Sequence, residues 1–153
     1  PMSDIRITAS TFDPALEIDR VRKGNAGVGA VVSFLGLMRD MNEGAPVSRM
    51  ILEHYPGMTE KALSDIADEA RRRWAVEAIR VVHRVGEIRP EDPIVLVAVA
   101  GRHRGEAFRA CEFIKDFMKT RAPIWKKETT ASGERCVDAR ATDGEAQARW
   151  DRD

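Results

Sequence analysis

The segment Gly27–Leu37 (GVGAVVSFLGL) constrains the fold more than any other stretch of this chain. It is almost unbroken in apolar character and rich in valine, whose branched Cβ suits an extended backbone. It predicts a strand buried on both faces, and such a strand needs cover on both sides of its sheet. Val47–Tyr55 behaves differently. Met50, Leu52 and His54 alternate with Arg49, Ile51, Glu53 and Tyr55, which predicts a strand with one face inward. Met38–Pro46 between them is polar, contains Gly and Pro, and reads as a connecting loop.

Further elements follow from local signals. Ile5–Thr8 is a short first strand. Asp13-Pro14 starts a helix, with Asp as cap and Pro at the first helical position, and Gly24-Asn25 ends it after about Lys23. Pro56-Gly57 is a turn, Thr59 a helix cap, and Leu63, Ile66, Ala67, Ala70 and Trp74 mark a helical stripe. Ala78–Val85 and Pro93–Ala100 read as antiparallel strands joined through Arg89–Pro93. Glu106–Thr120 is a second strong helix, with Ala107, Cys111, Ile114 and Met118 on its stripe and Pro123 beyond its end. Arg135–Ala139 is a candidate last strand, and Asp143 a cap for a short helix near Trp150. Strands and helices without strict βαβ alternation favour an α+β fold with a mixed or antiparallel sheet. The 153 residues suit one domain over 2–153, with Pro1 ahead of Met2 reading as a cloning remnant.

Lysine and arginine balance aspartate and glutamate at 25 each, which argues against general nucleic-acid binding. No apolar run is long enough for a membrane span, and no secretory signal pattern precedes the first strand. Two cysteines cannot form a disulfide framework and suit a reducing cytoplasm. The histidines His54, His83 and His103 are scattered, without HExxH, CxxC, Walker or nucleophile-elbow patterns. Cys111 lies on an apolar stripe and reads as a core residue.

The neutral average conceals one local surplus. Gly101–Lys127 holds eight basic residues against three acidic ones. Arg109, Lys115 and Arg121 read most simply as a solvated helix face. His103-Arg104 lies where a buried strand passes into a helix, a place where free N–H groups favour anions. A structural salt bridge is the equal alternative there. Lys119 ends the same helix, and Lys126-Lys127 follow the apolar Ala122–Trp125 segment. Crowded lysines lower one another's pKa, which suits acid–base work, whereas helix-end charge is the plainer reading. Arg39 sits in a polar loop after the apolar strand. The residues thus outline a basic pocket of His103, Arg104, Lys119, Lys126 and Arg39 for an anionic ligand.

At these residues the chain resembles the large, catalytic subunit of molybdopterin synthase. The matching segments are GAVVSFLGLMRD (Gly29–Asp40), LEHYPGMTEKAL (Leu52–Leu63), HRVGEI (His83–Ile88), His103-Arg104, KTRAPIWKKE (Lys119–Glu128) and Arg149-Trp150. The resemblance implies an α/β-hammerhead fold. It implies a homodimer whose copies each bind a small ubiquitin-like subunit ending in Gly-Gly, carried as a thiocarboxylate. The implied substrate is cyclic pyranopterin monophosphate (precursor Z), which receives two sulfurs to become molybdopterin. No metal or other cofactor is implied, nor nucleic acid or membrane. By similarity Lys119 and Lys126 are catalytic. Arg39, His103 and Arg104 would grip the phosphate beside the backbone of Leu37 and Met38. Lys127 and Glu128 would line the same wall, and Arg140 is a further candidate. A non-catalytic scaffold for the partner's tail is the competing reading, with an anion sensor as a third. Both lysines together favour the enzyme, since recognition alone needs only arginines and a helix terminus.

Overall fold

The computed structural model describes residues 2–42, 44–131, 133–137 and 148–152. In chain order the elements are β1 (Met2–Thr8), α1 (Pro14–Arg22), β2 (Ala30–Leu37), β3 (Met41–Asn42), β4 (Ala45–His54), α2 (Met58–Arg73), β5 (Val76–Arg84), β6 (Gly86–Ile88), β7 (Pro93–Gly101), α3 (Arg104–Arg121), β8 (Ile124–Thr130) and β9 (Gly133–Val137). A short 3-10 turn covers Arg149–Arg152.

One sheet runs in the order β1-β5-β7-β2, with β1 parallel to β5 and the other pairs antiparallel. The second runs β3-β4-β8-β9, with β6 also on β4. This is the α+β arrangement expected from the element pattern. The strand buried on both faces, however, is not the apolar run that suggested it. β2 is an edge strand, and Ser33, Leu35 and Leu37 face outward. The doubly buried strands are β5 and β7, where Val95–Ala100 are at most 2% exposed. Hydropathy does not separate the two cases, because an edge strand that leaves leucines on its surface reads like a central one.

α2 and α3 cover one face of the first sheet. Leu63, Ile66, Ala67 and Ala70 of α2 meet Ala107, Ala110, Phe113, Ile114 and Phe117 of α3 over Ile79, Val81, Val95, Val97 and Val99. Trp74, Phe113 and Trp150 stack edge to face, with centroids 5.4–5.6 Å apart. Each large side chain removed from water here contributes roughly 1.5–3 kcal/mol. Cys111 lies in this core, and burial pushes its thiol up to about 11. The opposite face takes α1, whose start is as read: Asp13 Oδ1 accepts from Ala15 N–H at 2.9 Å, ahead of Pro14. α1 is tied down by Glu17, which is buried and ion-paired with Arg80 of β5 and with Arg6 of β1 at 3.2 Å.

Two local expectations change. Thr59 is not the cap of α2: Gly57 is, and Glu60 accepts from its N–H at 3.3 Å. The loop after β2 contains β3, which forms a tight hairpin with Ala45-Pro46. Asp143 and residues 138–139 lie outside the described residues.

Candidate active site

α3 decides what the basic residues can do together. The helix leaves the end of β7 and runs back across it: Ala107 lies beside Gly101, and Cys111 Sγ reaches the Val97 carbonyl at 3.8 Å. Lys119 is therefore carried to the opposite end of the sheet from Arg104. Fifteen residues at about 1.5 Å rise put these two backbone positions roughly 22 Å apart. The single pocket expected from the sequence is thus two clusters within one chain.

The first cluster sits at the start of α3. His103 is the helix's N-cap residue in extended conformation, with no side-chain cap bond, and His103 and Arg104 are both exposed. The neighbouring Arg102 pairs with Glu77 at 3.6 Å. Gly29 allows the chain to pass close by, since a Cβ there would meet the Arg102 carbonyl at 2.3 Å. Free N–H groups at this helix end add to the cationic side chains.

The second cluster lies at the far end. β2 is antiparallel to β7, so Leu37 pairs with Pro93 and Arg39 emerges beside the start of β7. Met38 is buried, and its N–H and carbonyl bond Asp92 and Glu91 at 3.0 and 2.9 Å, which fixes the base of the exposed Arg39. Lys119 is exposed at the end of α3, within electrostatic reach of His83. His83 is buried at the end of β5, and its Nδ1 bonds the Arg84 carbonyl at 2.7 Å. Burial, with the nearby charge of Lys119 and His54, holds its pKa down at about 4. His83 is therefore neutral at neutral pH. Its Nδ1 donates to that carbonyl, which leaves Nε2 as an acceptor.

β8 adds Lys126. It pairs with Leu52 of β4, while Ile124 pairs with His54 and Glu128 with Met50. Directly opposed residues share a face, so Lys126, Glu128 and His54 lie on the inner face of the second sheet. Lys126 has no ion pair among the described residues. Lys127 is on the other face and pairs with Glu53 at 3.6 Å, beside Trp125, whose Nε1 donates to Glu53 at 3.0 Å. The expected common wall of Lys126, Lys127 and Glu128 is therefore divided, because neighbouring strand residues point to opposite faces. Glu128 is buried and accepts from Asn42 at 2.9 Å, so it serves as an anchor for β3. Arg140 lies outside the described residues. The helix-face reading fits Arg121, exposed and stacked on Phe117 at 4.3 Å, whereas Lys115 is only part-exposed and pairs with the buried Asp116 at 3.1 Å.

Sequence reasoning missed His83, Arg84 and Asp116. Asp116 is buried and accepts from Trp150 Nε1 at 2.7 Å, a pairing no local pattern announces. Charged or polar residues ending the valine-rich β5 were the available signal for His83 and Arg84. Among the described residues no three His, Cys, Asp or Glu side chains converge as a metal cluster.

These features meet those of known proteins over most of the chain. The family profile described as MoaE protein matches residues 7–121. The molybdopterin synthase catalytic subunit of Ralstonia nicotianae is 59% identical over 149 residues, covering 97% of this chain and 85% of that protein. The molybdopterin biosynthesis MoaE protein from Burkholderia ambifaria superposes with a TM-score of 0.84 at 52% identity, covering 97% of this chain and 98% of that one. Molybdopterin synthase from Staphylococcus aureus gives a TM-score of 0.81 at 32% identity, over 86% and 95% of the two chains. The chain belongs to the MoaE family.

Proposed function

We propose that this chain is the catalytic subunit of a molybdopterin synthase, a sulfurtransferase of molybdenum cofactor biosynthesis. It converts cyclic pyranopterin monophosphate to molybdopterin. The sulfur comes from the C-terminal thiocarboxylate of a small ubiquitin-like subunit ending in Gly-Gly. Each transfer leaves that carrier with an ordinary carboxylate, so an oxygen from water replaces each sulfur, and two carriers are consumed per product. The chain's own residues supply charge and proton handling, with no resident cofactor. The working compartment is the cytoplasm, in keeping with described helices that are too short or too polar to cross a membrane.

The observation that supports the site reading is Lys119 at the end of α3, within electrostatic reach of the buried neutral His83, with Lys126 on the inner face of β8 just beyond the Pro123 turn. Lys119 stabilises negative charge as the thiocarboxylate is polarised, the form of preorganised electrostatics that dominates many active sites. Lys126 moves protons or holds the substrate as sulfur attacks. Arg39, His103 and Arg104 bind the phosphate, with the backbone of Leu37 and Met38 beside it. In one copy the His103–Arg104 cluster is too far from the lysines to share a small substrate with them. A homodimer resolves this if one copy presents the start of its α3 to the lysine end of the other.

Mass spectrometry of the pterin after addition of thiocarboxylated small subunit and precursor Z tests the activity. A product carrying two new sulfurs is expected, and recovery of unchanged pterin refutes it. Mixing Arg104→Ala and Lys119→Ala proteins, at a precursor Z concentration where each alone is nearly inactive, tests the shared site. Half of a randomly exchanged C2 population is mixed, with one intact site of two, so about a quarter of full activity should return. No recovery after subunit exchange overturns the shared site.

A further inference from the structure

The segment LEHYPGMTEKAL (Leu52–Leu63) has so far supplied only one face of β4 and the start of α2. Its Thr59 side chain does something more specific. Thr59 is 0% exposed, in the first turn of α2. Its hydroxyl accepts from Tyr55 N–H at 3.0 Å and donates to the Pro123 carbonyl at 2.9 Å. One buried oxygen thus joins the turn after β4 to the connector between α3 and β8. That connector has Lys119 four residues before Pro123 and Lys126 three residues after it. Pro123 itself lacks an N–H, and Ile124 N–H bonds the adjacent Ala122 carbonyl at 2.8 Å, so apart from this hydroxyl the connector is held mainly by the apolar packing of Ala122 and Ile124 and the pairing of Ile124 with His54. The other side of the clasp is rigid, because α2 is seated in the core through Leu63 and Ile66.

We propose that Thr59 is a positioning residue for sulfur transfer, which sets the placement of Lys119 relative to Lys126 through the Pro123 carbonyl. The proposal rests on the reading that these two lysines carry the chemistry. A hydroxyl is required because the position must accept and donate at once. Valine fills the same space but leaves the Tyr55 N–H and the Pro123 carbonyl without this partner. The connector then loses its directional tie and can shift within its apolar packing, and a displacement of about 1 Å in reacting groups can cost on the order of 10²-fold in rate.

The test uses the full chain with thiocarboxylated small subunit and precursor Z. Thr59→Val should lower kcat by about 10- to 100-fold and leave KM for both substrates within about twofold, because the groups that bind them remain. Thr59→Ser, which keeps both hydrogen bonds, should stay within about threefold of wild-type kcat. A folded Thr59→Val protein with wild-type kcat, or with loss in KM alone, overturns the proposal. If the valine protein does not fold, wild-type hydrogen exchange decides. Binding of the small subunit's tail between the lysines should slow exchange of the Tyr55 amide, by reciprocity of coupling. Unchanged exchange overturns the proposal. Lys119→Ala assayed in parallel separates the two failures. Its full activity defeats the lysine reading, whereas its inactivity beside a fully active Thr59→Val defeats only the clasp.

Discussion

Replacing Lys119 by alanine removes an ammonium from an exposed helix end, so folding should be unaffected while dithiolene formation falls by about 10²–10³-fold. Single-turnover assays with the thiocarboxylated partner measure this, and retention of more than about a tenth of wild-type rate would leave only a helix-end lysine. Lys119→Arg should also be badly impaired, since arginine cannot give up a proton and its planar fork needs more room. Arg104→Ala should weaken precursor Z binding by about ten- to a hundred-fold, which calorimetry reads directly. His83 makes a separate prediction. Its folded pKa is about 4 against an ordinary 6.5, so between those values the unfolded chain binds a proton that the folded chain refuses. Stability therefore rises with pH through that window and is fully present above it, an effect of about 3 kcal/mol. Urea unfolding at about pH 4.5 and 7.5 should show this slope in wild type and less of it in His83→Gln. The lysines could be singled out as candidates in the sequence because charge is a local property. Thr59 was read as a helix cap because threonine before a helix usually is one. Its true partner, Pro123, is 64 residues away, and no local pattern encodes that distance.

Elements were legible where their ends carry chemical signals. Asp13-Pro14 fixed the start of α1, and the turn Arg89–Pro93 fixed the antiparallel neighbours β5 and β7. β2 was misplaced because its exposed Leu35 and Leu37 mimic a buried strand. The same reasoning explains why α1 holds its place although its cluster of buried apolar residues is small, with Val21 over Ala78, Ala98 and Ala100. Its anchor is the ion pair of Glu17 with Arg80, both at most 4% exposed. Glu17→Ala should destabilise the protein by about 3–5 kcal/mol, because it strips the buried Arg80 of its main partner. Denaturant titration checks this, and a loss below about 1 kcal/mol would show that Asp4 alone neutralises Arg80.

At the scale of the whole molecule, the sequence pointed to the cations of a candidate site but not to their separation. A pocket list treats residues as points, whereas the 18-residue α3, which carries both Arg104 and Lys119, is a rigid spacer. The exposed edge of β2, with Leu35 and Leu37, and the exposed Phe108 near the start of α3 offer apolar surface for association. Sedimentation should accordingly find a dimer at micromolar concentration, and a concentration-independent monomer would remove the shared-site reading. The length of α3 also restricts how such a chain can drift. One residue inserted into that helix would turn Lys119 by about 100° relative to Arg104 and push it about 1.5 Å along the axis. Both ends are committed, one to β7 and the other to the Pro123 turn, so neither can absorb the change. Insertions and deletions should be tolerated between β2 and β4, in the hairpin around Gly44, and purged from the helix, which behaves as the fixed gauge of the lineage.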